Sequence, residues 1–208
     1  VIHGCNEDGK VYVNWGWSGD DDVYYDIALL NPGWYHFDMQ QDMIIGIKGA
    51  PRELTDEVVT LAEAGTLSTI LDDEKIGTVG TLKITGDINS TDLRQIRRLA
   101  GVDENGEKTE GFLNTLDLSE ARIVSGGEAY LIDNGKQLTT TDNELPLKAF
   151  YNCQRLQRLV LPAGLKKWGE GATGLCPQLQ VLEIGEFAAD ADFVMEDDII
   201  WNADKTEI

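Results

Sequence analysis

Two ten-residue segments in the second half of the chain carry the same pattern, and this repeat limits the fold more than any other feature. CQRLQRLVLP covers residues 153–162, and CPQLQVLEIG covers residues 176–185, at an offset of 23 residues. A repeat at a fixed interval of this length indicates one supersecondary unit that recurs and stacks on its neighbours. The matching positions are Cys153 with Cys176, Leu156 with Leu179, Leu159 with Leu182, and Leu161 with Ile184.

The same L-x-x-L-x-L spacing occurs twice more upstream, so four units are visible. In each unit the last two apolar positions alternate as a short strand requires, and the first turns into the core. Stacking such strands in parallel would bury a shared inner face that no single unit could bury alone. The units lie near 79–84, 113–118, 156–161 and 179–184.

Residues 91–100 predict a helix between two of these strands. Ser90 or Thr91 can cap its start, and Gly101 follows as a stop. Leu93, Ile96, Leu99 and Ala100 form one apolar stripe, and Arg94, Arg97 and Arg98 are then expected to face outward.

The interval between the second and third units is longer than the repeat period. Residues 125–143, rich in Gly, Thr and Asp, are therefore expected to form an insertion that leaves the repeat array. Insertions of this kind often carry recognition.

Residues 1–49 differ from the rest of the chain in their sequence pattern. Short aromatic and β-branched runs alternate there with turn clusters, which indicates a small antiparallel β unit. The pattern breaks at Ala50-Pro51-Arg52 and leucines become regular afterwards. We therefore predict two domains, residues 1–50 and residues 51–208.

The repeats resemble the bacterial surface-antigen class of leucine-rich repeats over about residues 53–208. That class carries the pattern A-F-x-x-C-x-x-L-x-x-L-x-L-P. The resemblance implies an α/β leucine-rich-repeat solenoid, right-handed with short parallel strands, whose surface binds a protein or glycan ligand. It also implies that Cys153 and Cys176 are buried packing residues. The matching residues are Ala149, Phe150, Cys153, Leu156, Leu159, Leu161 and Pro162, then Ala172, Cys176, Leu179, Leu182 and Ile184.

The opening stretch resembles the carboxyl-terminal part of the streptopain family of secreted bacterial cysteine peptidases, which have a papain-like fold. Three family motifs follow one another in order at residues 13–19, 24–32 and 44–48. Ser18 and Val23 replace family glycines, and the run Asp20–Asp22 is unusual for the family. The resemblance implies that residues 1–50 are a piece of a peptidase domain.

Within this resemblance, Asn14 matches the asparagine that orients the catalytic histidine, and Trp15 matches the indole that shields that hydrogen bond. The family's base histidine would fall before Val1, and its nucleophile lies further upstream. His3 and Cys5 are two residues apart and could touch on a strand, but the thiol would lack a helix N-terminus to lower its pKa. An ordinary pair at a strand end is therefore favoured, and we expect this chain alone to lack nucleophile and base.

No metal or cofactor is expected. His36 lies among aromatic residues and is expected to be a surface or packing residue. The acidic runs Asp20–Asp22 and Asp72–Glu74 could attract calcium, but neither has the spacing of an EF-hand loop. A solvated turn is the favoured interpretation of both runs.

The charge excludes several partners. The chain has 17 Lys and Arg against 37 Asp and Glu, a formal net charge of -20 at pH 7. Such a field repels phosphate backbones, so nucleic-acid binding is not expected. No apolar run is long enough for a membrane span either.

Two functions follow from these observations. The first is a protein- or glycan-binding repeat module at the carboxyl end of a secreted or cell-surface bacterial peptidase. The second is a portion of an active cysteine peptidase whose Cys and His lie upstream, so that Asn14 and Trp15 serve catalysis. Because a β unit cut from a larger domain exposes strand edges, we also expect residues 1–49 to self-associate or to dock onto the repeats.

Overall fold

The computed structural model describes residues 2–26, 32–35, 52–196 and 199–202. The chain divides into two compact units, Val1–Pro51 and Arg52–Ile208. Within the described residues, the helices are too short and too polar to cross a membrane, in agreement with the sequence.

The first unit contains a three-stranded antiparallel sheet in the order β1-β2-β3. The short turn between β1 and β2 forms because the Asn6 side-chain oxygen accepts the N–H of Lys10 at 2.9 Å. The predicted strand at 44–48 and His36 lie outside the described residues. The strands are β1 (Ile2–Cys5), β2 (Val11–Val13) and β3 (Tyr24–Tyr25).

The second unit is organised around a five-stranded parallel sheet, in the order β12-β10-β6-β5-β4. The apolar side chains of alternate positions turn to one face, where they form the main core with the other elements. The five strands are β4 (Thr55–Leu61), β5 (Val79–Ile88), β6 (Thr115–Ile123), β10 (Arg158–Leu161) and β12 (Val181–Ile184).

Residues that occupy equivalent places in the sequence pattern are register partners in this sheet. Leu82 pairs with Leu116, Leu116 pairs with Leu159, and Leu159 pairs with Leu182. The first three leucines have no exposed surface. A fully buried leucine contributes about 2 kcal/mol of hydrophobic stabilisation, so this one row is a substantial part of the core.

Helix α2 (Ser90–Leu99) follows β5 and confirms the predicted helix. Its cap is Asn89, one residue before the predicted cap, and Asn89 forms a capping box with Asp92. The Asp92 carboxylate is fully buried and also accepts the N–H groups of Gly65 and Leu67 at 2.5 and 2.9 Å. The helix start is thereby joined to helix α1 (Leu67–Ile70).

The expectation that Arg97 faces outward is wrong. Arg97 is 1% exposed, and its guanidinium donates hydrogen bonds to the carbonyl groups of Lys148, Ala149 and Tyr151 at 3.2, 3.0 and 3.2 Å. Its burial lowers the pKa of the guanidinium. Arg97 therefore holds a distant turn segment against the helix.

The predicted insertion at 125–143 contains a β-hairpin, formed by β7 (Gly126–Asp133) and β8 (Lys136–Thr140). The hairpin packs on α2, where the Ser90 side-chain oxygen accepts the N–H of Thr140 at 2.7 Å. The Tyr130 hydroxyl also donates to the carbonyl group of Leu147, in the segment after the hairpin, at 2.5 Å. This segment belongs to the packed structure of the second unit.

The remaining strands form two small pairs beside the main sheet. Strand β9 pairs in parallel with β11, and β13 pairs with β14 in an antiparallel hairpin. Phe193 lies 4.7 Å from Phe187 and 6.0 Å from Trp168 between ring centroids, so aromatic packing continues the core to this end of the unit. These strands are β9 (Glu144–Leu145), β11 (Lys167–Trp168), β13 (Phe193–Glu196) and β14 (Ile199–Asn202).

The predicted α/β leucine-rich-repeat solenoid is wrong. The described residues form a mostly β structure on a five-stranded parallel sheet, with few helices and no detected solenoid. An α/β repeat needs a helix after each strand, but the segment between β10 and β12 contains Gly164 and Gly171 at positive φ and forms tight turns. The antiparallel hairpins interrupt the repeat as well.

Candidate functional site

The Asn14–Trp15 pair directly follows strand β2, at the start of a tight turn. The Asn14 side-chain oxygen accepts the N–H of Gly16 at 2.9 Å, which closes a local turn at a residue with φ of +80°. The N–H of Trp15 donates to a carboxylate oxygen of Asp22 at 2.9 Å. The backbone of this corner is thus fixed by side chains from its own loop.

Aromatic rings pack around this corner. Trp15 stacks on Trp17 with ring centroids 5.7 Å apart, and it meets the Tyr25 ring edge to face at 5.7 Å. The Trp17 ring in turn lies 5.4 Å from that of Tyr35. Contacts of this geometry each contribute roughly 1 kcal/mol beyond the buried area, so the rings make the corner rigid.

The Asn14 carboxamide oxygen, engaged by Gly16, lies beside the first strand of this sheet. Strand β1 carries His3 and Cys5 antiparallel to β2, with Cys5 opposite Val11. Cys5 is an exposed free thiol. The role that the sequence predicts for Asn14, to orient an imidazole N–H, stays a prediction.

The two other cysteines are in the second unit. Cys153 is fully buried, as predicted, and burial raises its pKa to about 12. Cys176 is half-buried, its Sγ–H donates to the Phe150 carbonyl group at 3.1 Å, and burial also raises its pKa. Since the nucleophile in thiol chemistry is the thiolate, these neutral thiols act in packing.

The two acidic runs form turns rather than ion sites. Asp72 accepts the N–H of Glu74 at 3.1 Å and caps a short 3₁₀ helix, Asp73–Lys75. Asp73 pairs with Arg98 at 2.8 Å, and the Asp21 carbonyl group accepts the Tyr25 hydroxyl at 2.7 Å. Within the described part of the chain, no three His, Cys, Asp or Glu side chains come together in a way that could hold a metal ion.

The second candidate site is the outer face of the five-stranded sheet, which we call the open face. One row of register partners crosses it from β4 to β12, and every side chain in the row is exposed or half-exposed. Val58 in this row is 74% exposed. The row consists of Val58, Lys83, Asp117, Val160 and Glu183.

A second row lies beside it and is rich in hydroxyl groups. In register order it comprises Asp56, Thr81, Thr115, Arg158 and Val181. The open face therefore presents threonine hydroxyls, the exposed Val58, the partly exposed Val160 and Val181, and charges of both signs within a few strand spacings of about 4.8 Å each.

Ion pairs order the long side chains on the open face. Lys83 contacts Glu120 at 2.6 Å and Asp117 at 3.8 Å, and the hydrogen bond that Lys83 donates to Glu120 raises the pKa of Lys83. Burial raises the pKa of Asp117, but hydrogen bonds from Ser119 and the charge of Lys83 outweigh it, so the pKa is lowered overall. These pairs are exposed enough to exchange for contacts with a ligand.

Sequence reasoning pointed to the strands but did not single out the residues of the open face. Four of them carry a simple signal, because each is the middle residue of an apolar-x-apolar triplet, such as Lys83 between Leu82 and Ile84. Because the flanking side chains turn inward, the middle one turns outward. Asp117, Val160 and Glu183 stand at the same place in their strands.

The fold and these sites define a mostly β protein with one open parallel-sheet face and a separate aromatic corner. No protein-family model matches the chain, and no curated protein matches it. The resemblances to the streptopain family and to surface-antigen repeats therefore remain predictions from the sequence.

Proposed function

We propose that this chain is a binding module that holds a protein or glycan ligand on the open face. The observation that carries the proposal is the accessibility of that face, because parallel sheets are normally covered on both sides. Here one side packs the core, while Val58 on the other is 74% exposed and its row partners are all partly or fully exposed. A bound partner would therefore cover the open face.

The composition of the open face suits such a partner. The Thr81 hydroxyl offers a donor and an acceptor, and Val58 and Val160 offer apolar contact. The Thr115 hydroxyl donates to the Asn114 side-chain oxygen at 2.9 Å and so offers an acceptor. The Arg158–Glu183 pair at 2.8 Å presents one charge of each sign. This mixture is close to that of ordinary protein-recognition surfaces, which combine an apolar centre with a polar rim.

A matched pair of variants tests the proposal. The chain would be screened against arrays of bacterial and host surface proteins and glycans, and each binder measured again with Val160→Lys and Leu175→Lys. Val160 lies in the open face on the second strand from the β12 edge, whereas Leu175 is 61% exposed in a turn elsewhere. We expect Val160→Lys to weaken binding about tenfold or more and Leu175→Lys to leave it unchanged. Arrays without a binder, or equal loss with both variants, would contradict the proposal.

We further propose that the module is the carboxyl-terminal part of a secreted or cell-surface, streptopain-like bacterial peptidase. The order of the three motifs in residues 1–50 supports this, and the rigid placement of Asn14 and Trp15 favours the second candidate, an active parent peptidase. We expect a form of the protein that is extended upstream of Val1 to hydrolyse casein, and this chain alone not to do so. If Asn14→Ala abolishes this hydrolysis and Asn6→Ala does not, Asn14 has the orienting role. If the extended form does not hydrolyse casein, the proposal of an active parent peptidase is refuted.

Self-association through residues 1–49 is the third part of the proposal. Large apolar side chains are exposed in the first unit, where Trp34 is 95%, Tyr35 59% and Val23 51% exposed. A group of exposed large aromatic side chains marks an association surface more often than a single exposed apolar residue does.

A further inference from the structure

A cleft of about 320 Å³ lies in the second unit, apart from the open face. Its walls come from the segments that precede β6, β10 and β12, together with the end of α2. Because the three strands are parallel, the segments that enter them meet at one edge of the sheet. The residues used in the argument are Lys108, Asn152, Gln154, Arg155, Pro177 and Gln178.

Two cations, Lys108 and Arg155, line this cleft. Among residues 52–196, neither forms an ion pair within 4.0 Å, although the chain has 37 acidic residues against 17 basic ones. A neighbouring groove provides the contrast, since its Arg94 and Arg98 are paired with Glu128 and Asp73. The cations of this cleft therefore differ from those of the neighbouring groove in having no ion-pair partner among these residues.

Arg155 is also held in place. Its guanidinium lies over the Phe112 ring, 4.3 Å from the centroid, and the guanidinium of Arg52 lies over the same ring at 3.9 Å. Stacking uses the face of a guanidinium and leaves the N–H groups in its plane free to donate. Arg52 forms an ion pair with Glu110 at 3.9 Å. The guanidinium of Arg155 is thus the one of the two that can pair with a ligand carboxylate.

Amide side chains line the rest of the cleft. The Gln154 side-chain N–H donates to the Asn152 oxygen at 2.9 Å, which fixes the two amides relative to each other. The Asn152 amino group and the Gln154 oxygen then remain as one donor and one acceptor beside the cations. Gln178 adds a third amide, and Pro177 adds an apolar surface.

We propose that this cleft binds one acidic monosaccharide unit, that is, a uronic acid. The sugar carboxylate would pair with Arg155 and Lys108, the ring hydroxyls would bond with the amides, and an apolar ring face would lie on Pro177. The cleft volume is at the small end of ligand pockets, which suits one sugar unit rather than a chain of them. This site goes beyond the open face and does not depend on it.

The test is a titration of the full chain, followed through backbone amide NMR shifts, with sodium glucuronate, glucose and sodium acetate. Glucuronate is expected to shift the amides around Arg155 and Gln178 and to bind at least about tenfold more tightly than either control ligand. Glucose lacks the carboxylate, and acetate lacks the sugar. Binding of glucose or of acetate as tight as that of glucuronate would overturn the proposal.

Variants then locate the site. Lys108→Gln and Arg155→Gln should each weaken glucuronate binding about tenfold, since each removes a charge-assisted hydrogen bond. Lys136→Gln is the matched control, because Lys136 is exposed on the hairpin, lies outside the cleft and changes the net charge equally. Equal weakening by Lys136→Gln, or unchanged binding in Arg155→Gln with an unchanged melting temperature, would refute the assignment.

Discussion

At the scale of single residues, Arg97 joins parts of the chain that are far apart in sequence. Its guanidinium satisfies three carbonyl groups of a turn about 50 residues further along. Helix periodicity could not reveal this, because Arg97 lies next to the apolar stripe and a helix pattern carries no information about a distant turn. The stripe itself, with Leu93 and Ile96 buried, was predictable.

Removal of this guanidinium should destabilise the second unit. Arg97→Met keeps the apolar stem but removes the shared donor of three carbonyl groups. That of Lys148 still accepts the N–H of Tyr151 at 3.1 Å, so the cost comes from those of Ala149 and Tyr151, and we expect the free energy of unfolding at pH 7 to fall by about 3 kcal/mol. Arg94→Met is the control and should cost less than about 1 kcal/mol, because it breaks only a partly exposed pair with Glu128. Urea denaturation measures both values. Equal losses of stability would show that the hydrogen bonds of Arg97 do not hold the distant turn against the helix.

At the scale of elements, the β7–β8 hairpin depends on a close approach to the start of α2. A Cβ atom on Gly127 would lie 2.6 Å from the Asn89 side-chain oxygen and 2.7 Å from the Thr91 hydroxyl, both at the helix cap. Gly127 also has a φ of +81°, which side chains other than glycine adopt at a cost. The hairpin and the helix cap therefore fit together only through this glycine.

Two glycine substitutions separate the contact from the backbone strain. Gly135 has a φ of +79° and no atom within 4 Å of its Cβ position, so Gly135→Ala should cost only the strain, about 1 kcal/mol. Gly127→Ala should cost about 1–3 kcal/mol more, because the helix cap must move. Thermal and urea unfolding compare the two variants, and equal costs would mean that the hairpin does not press on the cap.

The elements also show what the sequence can predict. Apolar alternation identified the strands now seen as β10 and β12, and caps and periodicity identified α2, since each of these signals is local. The hairpin turn was missed, although Asn134-Gly135 is a strong turn signal and both residues have positive φ. The helices expected between strands are absent from the described connections after β10, because glycine-rich turns replace them.

The candidate sites were predictable to different degrees. Asn14 and Trp15 were singled out by a motif, whereas the open face and the cleft arise from residues far apart in sequence. Lys108 and Arg155, for example, share a cleft only because parallel strands bring their entering segments together. A periodic pattern tells which residues face outward, but the partners of each residue follow from the tertiary packing.

At the scale of the whole molecule, charge dominates. A net charge of -20 makes two copies of the chain repel each other at low salt, while the exposed aromatic residues of the first unit favour contact. The range of this repulsion is about 10 Å at 0.1 M salt and falls to a few ångströms near 0.5 M. Apolar attraction is not screened in this way, so salt should decide which effect prevails.

Self-association of the full chain should therefore increase with salt. Sedimentation equilibrium at about 0.02 M and about 0.5 M NaCl is expected to give a dimerisation constant at least about tenfold larger at the higher concentration. Trp34→Ser should remove most of this gain, because Trp34 is 95% exposed, whereas Leu175→Ser in the second unit should leave it intact. A monomer at both salt concentrations, or an equal effect of the two substitutions, would show that association does not proceed through residues 1–49.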